Sequence, residues 1–362
     1  MLKILLYPFA LLYGLVIGFR HLLFDIGLLP AKSFDVPVVG VGNISVGGTG
    51  KTPHTEYLAR LFQDDFKTAI LSRGYLRKSS GFVLAGETST FENIGDEPMQ
   101  YLHNLGNTIR IAVDKRRVRG VKKLLKLEPP PEVIILDDAM QHRFIKPGIN
   151  ILLTDYHRLY ADDYLFPAGR LRDLKRIAKR ADIIIVTKTE KVLSPLIRKL
   201  VEEKLSPQPG QKLYFSYLKY GSPVSIPSLK EVKLEKQYST IILFTGIANP
   251  YPLKDELRYH CRELVTLDFP DHHNFKEKDI LLIKKTWEQQ FTSHKLMVTT
   301  EKDAMRLINS PYLRLLKDLP MVYLPIKVKF HGQDGNNFNT QILNYVRESQ
   351  RNSSIRSVKN KS

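Results

Sequence analysis

The sequence predicts an α/β protein. It has a parallel-sheet domain, a second smaller α/β domain joined to it by a linker, and an apolar N-terminal helix. Three observations carry this. Short apolar, β-rich runs alternate with charged helical stretches after Pro30. The first of those runs leads straight into a glycine-rich turn and a helix. The chain opens on a run from Ile4 to Phe19 with no charged residue. Strands alternating with helices give a parallel sheet covered on both faces, where near-continuous apolar strands belong.

The N-terminal element comes first. The run Ile4–Phe19 falls short of the roughly 20 residues that span a bilayer, and Pro8, Gly14 and Gly18 weaken a straight spanning helix. Lys3, Arg20 and His21 flank it and suit lipid headgroups. Monotopic insertion in a membrane surface is the expectation; a single span, or a helix packed on the protein's own core, are the alternatives. No small-x-small cleavage site follows, which argues against a secretory signal.

The strands follow in order: "VPVVGVGN", "TAILSRGY", "TIRIAVD", "EVIILDD", "INILLTD" and "ADIIIVTKT". The helices "KTPHTEYLARLFQ" and "RVRGVKKLLKLE" lie between them. Around 205–237 the periodicity breaks into a Pro-, Ser- and Lys-rich stretch, read as a linker hairpin. A second α/β unit then runs through "TIILFTGIAN", "LVTLDFPDHHNF", "KLMVTTEKD" and "MVYLPIKVKF". The expected boundaries are a membrane-associated helix at 1–30, a nucleotide-binding α/β domain at 31–205, the hairpin at 206–237, a C-terminal α/β domain at 238–345, and a basic, disordered tail at 346–362.

Composition narrows the class. The chain has 362 residues, enough for two domains. Lys plus Arg number 55 against 37 Asp plus Glu, a net +18. That excess suits a polyanionic partner: nucleic acid, an anionic membrane or a phosphorylated substrate. Charge alone does not choose among them. No aromatic-interleaved basic stretch of the kind that binds single-stranded nucleic acid is present. The single cysteine, Cys261, excludes an internal disulfide and fits a reducing compartment. No Cys/His cluster has zinc spacing.

The chemistry-bearing motifs begin with "GNISVGGTGKTP". The residues Ser45, Val46, Gly47, Gly48, Thr49, Gly50, Lys51 and Thr52 match a P-loop, except that Ser45 stands where the first glycine belongs. Backbone N–H groups and a helix N-terminus there cradle phosphates. Lys51 reaches the β/γ phosphates and Thr52 places a hydroxyl on Mg²⁺. A P-loop needs a second carboxylate at another strand's end to hold Mg²⁺; "EVIILDDAMQH" supplies Asp137 and Asp138. In "NIGDEPMQ", expected in a loop, Asp96 suits either a proton acceptor or a turn cap. In "FPAGRLRDLKR", Arg170, Arg172 and Asp173 suit phosphate binding or a solvated helix start. "FPDHHNF" offers His272 and His273 beside Asp271, either a proton relay or a structural turn. "VTTEKDAMRL" holds Glu301, Lys302 and Asp303 after a strand, loosely like a base-reading loop.

Together and in this order, the apolar N-terminus, "GNISVGGTGKTP", "SRGY", "GDEP", "DDAMQH", "PAGRLRD", "DHH" and "TEKDA" resemble the tetraacyldisaccharide 4'-kinase (lipid A 4'-kinase) family. The resemblance runs from the N-terminal helix to about residue 330. It implies a P-loop kinase-like domain and a second α/β domain joined by a two-stranded linker. It implies transfer of the γ-phosphate of ATP, with Mg²⁺, to the 4'-hydroxyl of a tetraacylated glucosamine disaccharide 1-phosphate. The setting it implies is the cytoplasmic face of the bacterial inner membrane, an anionic surface. By position, Lys51 and Thr52 match the P-loop lysine and the Mg²⁺ hydroxyl, and Asp137 and Asp138 the acidic strand end. Asp96 matches the proposed base, His272 its partner, and Arg172 an active-site arginine. Asp173 departs, since the family more often has Glu there. No nucleic acid and no protein partner are expected. The alternative is another P-loop kinase acting on a small or lipid-linked hydroxyl.

Overall fold

The computed structural model describes residues 2–359 apart from 236, 272 and 309, and divides into a first unit, 1–218 with 328–362, and a second, 219–327. The first unit opens with helix α1 (Leu2–Asp25), strand β1 (Val38–Gly42), α2 (Lys51–Phe62), β2 (Thr68–Ser72) and β3 (Val83–Leu84). There follow α3 (Phe91–Ile94), α4 (Asp96–Leu105), β4 (Arg110–Val113), α5 (Arg117–Leu124), β5 (Val133–Asp137), β6 (Ile149–Asp155), β7 (Ile183–Thr187), α6 (Pro195–Leu205) and β8 (Lys212–Tyr220).

The second unit holds β9 (Val224–Ile226), β10 (Tyr238–Thr245), α7 (Tyr251–Arg258), β11 (Cys261–Asp268), α8 (Glu277–Glu288), β12 (Lys295–Thr300), α9 (Glu301–Ile308) and β13 (Met321–Leu324). Strand β14 (Ile326–Phe330) returns to the first unit, and α10 (Asp334–Lys359) ends the chain.

Among the described residues, the first sheet has nine strands in the order β14-β8-β7-β6-β1-β5-β2-β4-β3. β1 runs parallel to both neighbours, with Val41 beside Asp137 and Gly42 beside Leu152. Both faces of this sheet are covered, as the unbroken apolar strands require. Because side chains alternate along a strand, Val39, Val41, Ile135 and Ile151 point to one face. There they meet Leu58 and Phe62 of α2, Tyr101 of α4, and Phe338, Ile342 and Val346 of α10. Leu152, Ile184 and Val186 point to the other, against Val201 and Leu205 of α6. Leu136 and Leu71 join Val121 and Leu124 of α5 there. The second sheet, β11-β10-β12-β13-β9, is parallel except for its edge strand β9, which pairs antiparallel with β13.

Four expectations change. The 206–237 stretch is not a hairpin: β8 lies in the first sheet and β9 in the second. The chain leaves the first unit on β8 and comes back on β14, neighbours at that sheet's edge. The segment after 345 is not a frayed tail from its start, because Val346 is fully buried on the helix α10. Phe338, Ile342 and Val346 belong to the first core, so the second unit ends near 327 rather than 345. The N-terminal helix runs 24 residues, about 36 Å at 1.5 Å per residue, with Pro8 inside it.

Candidate active site

The glycine-rich turn joins β1 to α2, the strand–loop–helix context its pattern needs. Left-handed backbone falls at Gly47 (φ 106°) and Gly50 (φ 83°), where the absence of a Cβ removes the steric penalty. A Cβ added at Gly47 or Gly48 would meet nothing within 4 Å, so this backbone stands open to a ligand. Ser45 needs no glycine. It forms an antiparallel bridge with Leu171, flanked by bonds from Val46 N–H to Arg170 O (2.7 Å) and from Arg172 N–H to Ile44 O (2.9 Å). The loop is therefore stitched to the "AGRLRD" segment, which brings Arg172 to the P-loop from 121 residues further along.

Asn43 is the hub of the site, and it is fully buried. Its Nδ2 donates to Thr49 Oγ1 at 2.7 Å, and its Oδ1 accepts from Lys51 Nζ at 3.3 Å and from Arg172. Its carbonyl accepts from Gln141 Nε2 (2.8 Å) and Arg172 (3.3 Å). Arg172 also grips Asp138 with both terminal nitrogens, and Lys51 Nζ lies 3.6 Å from Asp138 Oδ1. Burial alone would raise the Asp138 carboxyl. Lys51 and Arg172 outweigh it and hold the group down at about 2.

Its neighbour Asp137 behaves oppositely. Burial, then the charges of Asp138 and Glu97, push it up to about 6. Ser72 Oγ donates to Asp137 Oδ2 at 3.0 Å, while Asp137 Oδ1 is buried with no hydrogen-bond partner. The main chain at Asp137 is fixed by Arg117, which donates to the Asp137 carbonyl at 2.9 Å and to that of Asp114 at 2.7 Å. Gly42 is required here, because a Cβ would fall 2.7 Å from Met140 Cγ and 2.8 Å from its amide nitrogen.

The end of β7 props the loop from the side. Thr187 Oγ1 donates to Thr49 O at 2.9 Å, and Lys188 Nζ reaches Gly48 O and Asp155. In the first turn of α2, His54 is buried between Gly50 O (2.7 Å) and Ser216 Oγ (3.0 Å). A carbonyl only accepts, so Nδ1 carries the proton and Nε2 receives the serine hydroxyl. Burial lowers this histidine to about 4.

Asp96 is not in a loop. It is the first residue of α4, behind Gly95 in a positive-φ conformation (96°), and is half-buried. Glu97 beside it is one of the charges acting on Asp137, which brings the start of α4 toward the β5 end. Arg20 and His21 are not free for headgroups: Arg20 donates to Gln141 O at 3.0 Å and His21 is fully buried against Asp173. The side chain of Lys3 lies outside the described residues. Asp173 Oδ1 is taken by His21 and by its own neighbour's amide, Leu174 N–H.

In the second unit, His272 lies outside the described residues. His273 pairs with Asp279 at 2.9 Å, and Lys302 sits 3.8 Å from Asp271. "TEKD" opens α9, and Asp303 holds Gly246 N–H (2.9 Å) and Thr300 Oγ1 (2.7 Å).

Asn43, Gln141, Thr187 and Lys188 escaped the motif reading. Asn43 carried a signal, a polar residue ending a buried strand just before the loop, but Gln141 and Arg172 come to it from two distant segments.

The sequence model of the family described as Tetraacyldisaccharide-1-P 4'-kinase matches residues 2–347. The chain belongs to this family. Two curated relatives named Tetraacyldisaccharide 4'-kinase are similar along almost their whole lengths. The one from Bacteroides thetaiotaomicron is 48% identical, over 97% of this chain and 95% of that protein. The one from Flavobacterium johnsoniae is 43% identical, over 96% of this chain and 98% of that protein. The fold is similar to a crystal structure of LpxK from Aquifex aeolicus in complex with ATP. That likeness has a TM-score of 0.72 and 28% identity, and covers 96% of this chain and 100% of the other. Family membership decides against an unrelated P-loop kinase.

Proposed function

We propose that this kinase phosphorylates the 4'-hydroxyl of a tetraacylated disaccharide 1-phosphate with ATP, using the cluster around Asn43. The carrying observation is the convergence of Lys51 and Arg172 on Asp138 and Asn43, beside a buried carboxylate oxygen of Asp137 that has no partner. Phosphoryl transfer asks a protein for positioning and charge stabilisation more than for covalent chemistry.

Lys51 and the loop N–H groups hold the β and γ phosphates. Arg172 neutralises charge building on the transferring group. Lys51 and Arg172 are held by Asp138 here, so phosphate oxygens take both cations in exchange for that carboxylate. The residues present fit Mg²⁺: the Thr52 hydroxyl, Asp137, whose Oδ1 is buried without a partner, and Asp138 would hold it with an all-oxygen set. Mg²⁺ bound there offsets charge on the phosphates. Among the described residues no group of three or more His, Cys, Asp or Glu forms a metal cage, which suits an ion shared with a nucleotide.

Asp96 accepts the proton of the 4'-hydroxyl as its oxygen attacks the γ-phosphorus. The bond to the β–γ bridging oxygen breaks, and ADP leaves.

The outward face of α1 supports a membrane setting. Leu5, Phe9, Leu12, Val16 and Phe19 are each 62% to 69% exposed, a stripe at helical spacing. We place that stripe in the acyl boundary of the anionic inner leaflet at the cytoplasmic face, where the acyl chains of the substrate also reside.

The test is transfer of label from γ-labelled ATP to the disaccharide lipid in the presence of Mg²⁺. Label is expected in the lipid phase with wild-type protein and strongly reduced with Asp96→Ala at unchanged ATP affinity. Near-normal turnover of Asp96→Ala would remove the base assignment.

A further inference from the structure

Helix α1 has a second face. Ala10, Tyr13, Gly14, Ile17, Gly18, His21 and Phe24 recur at three- and four-residue spacing and turn inward. Gly14 and Gly18 do not loosen the helix. They let it approach the protein's own surface, for a Cβ at Gly14 would fall 2.8 Å from Leu165 Cδ1. Across this close contact three polar groups reach the phosphoryl-transfer site. Tyr13 OH donates to Arg172 O at 3.0 Å, Arg20 donates to Gln141 O at 3.0 Å, and His21 Nε2 meets Asp173 Oδ1 at 2.6 Å.

Tyr13 and Arg20 each anchor one of the two residues whose side chains meet at Asn43, and His21 anchors Asp173, the chain neighbour of Arg172. Arg172 reaches Asn43 and Asp138 with its guanidinium, and Gln141 donates to the Asn43 carbonyl. The His21–Asp173 bond is the most shielded of the three, with exposures of 0% and 1%. Its polarity is fixed from the other side. Arg143 NH1 lies 3.2 Å from His21 Nδ1, and a guanidinium only donates. Nδ1 therefore accepts, and Nε2–H donates to Asp173. The carboxylate also accepts from Leu174 N–H at 2.8 Å, which locks the turn that directly follows Arg172.

We propose that Asp173 and His21 are a positioning pair, and that α1 braces the reaction centre as well as presenting an apolar face. Asp173 acts through Arg172: it holds the 171–174 segment against α1, and the guanidinium is aimed from there at Asn43 and Asp138. The proposal rests on the role of Arg172 given above. It accounts for the aspartate at this position, because a buried partner on α1 engages its carboxylate.

The experiment measures kcat, KM for ATP and melting temperature for the full chain with the lipid acceptor in detergent micelles and in phospholipid vesicles. Asp173→Ala and His21→Ala are each expected to lower kcat about tenfold or more with KM for ATP nearly unchanged, as small misplacements of catalytic groups do. The loss is expected in micelles and vesicles alike. The double variant is expected to be no worse than either single, since both break one link. Asp173→Asn keeps an acceptor for His21 and Leu174 and is expected to recover most of the activity. Wild-type kcat in a folded Asp173→Ala or His21→Ala overturns the proposal, as does a multiplicative loss in the double, or a loss confined to vesicles. Arg172→Ala separates the two readings: undiminished kcat there removes the role of Arg172, while a loss there with none at Asp173 or His21 removes only the positioning pair. If the alanine variants do not fold, Tyr13→Phe, which deletes only the hydroxyl on Arg172 O, decides by the same kcat readout: a drop at unchanged melting temperature supports the brace, and wild-type kcat overturns it.

Discussion

Each sheet has an aspartate just beyond the end of a central strand, Asp138 half-buried and Asp303 fully buried, and the two are used differently. Asp138, after β5, is held by Lys51 and Arg172, long side chains that are 22% and 26% exposed. Asp303, after β12, is held by a backbone N–H of Gly246 and the hydroxyl of Thr300, with Arg306 3.6 Å away. A carboxylate paired with flexible cations at a ligand-accessible edge can exchange partners without disturbing the chain. A carboxylate that satisfies a main-chain donor cannot, because the donor has nowhere else to turn. The first arrangement suits turnover, the second rigidity.

That contrast breaks or sharpens under substitution. Asp138→Ala is expected to cut kcat about 100-fold or more, the size of losing a transition-state contact, with a melting curve close to wild type; a normal rate would place Asp138 outside the chemistry. Asp303→Ala is expected to do the reverse in kind. It leaves Gly246 N–H and the Thr300 hydroxyl proton without their acceptor and takes one partner from Arg306, a cost of about 2–4 kcal/mol in urea unfolding. An unshifted unfolding midpoint would put Asp303 outside the stabilising set.

His54 gives a smaller, pH-dependent effect. Its folded-state value is about 4, below the ordinary histidine value, so its contribution is full above about pH 6.5 and is lost as pH falls toward 4. From pH 7 to pH 5 the fold is expected to lose about 2 kcal/mol from this group. His54→Asn should flatten that slope, and an equal slope in both proteins would assign the loss elsewhere. Smallest for stability is Leu12→Gln on the outward stripe of α1, expected to stay within about 0.5 kcal/mol while weakening vesicle binding; undiminished vesicle binding would count against that face as the membrane contact. Deleting residues 1–30 cannot make this distinction, since it removes the stripe and the brace together.

Much of this was legible beforehand. The parallel strands were visible as apolar runs because burial on both faces leaves no polar alternation. The loop was visible because phosphate binding constrains residue type at short spacing. Asp137 and Asp138 were visible because they end such a run. The hidden part is long-range. His21 and Asp173 are 152 residues apart, and no local pattern pairs them. Asn43 stands inside the quoted "GNISVGGTGKTP", yet its role depends on Gln141 and Arg172 arriving from elsewhere. "GDEP" read as a turn because Gly95 is one, although Asp96 already opens α4. The part of α10 after 345 read as a tail because its composition is polar, and the helix's fully buried apolar residues Phe338, Ile342 and Val346 are sparse, with Leu343 and Tyr345 only partly buried beside them.

That last helix carries a consequence for how the molecule is made. The second unit is an insertion, and the final piece of the first core emerges from the ribosome only after the whole insertion has been synthesised. Until then the face that α10 shares with α2 and α4 is only partly covered, short of three buried side chains worth about 1.5–3 kcal/mol each. Domains usually finish folding in the order of their synthesis. Here the second unit is free to fold first, and the nucleotide-binding unit completes its core last, once α10 has been synthesised and closes it.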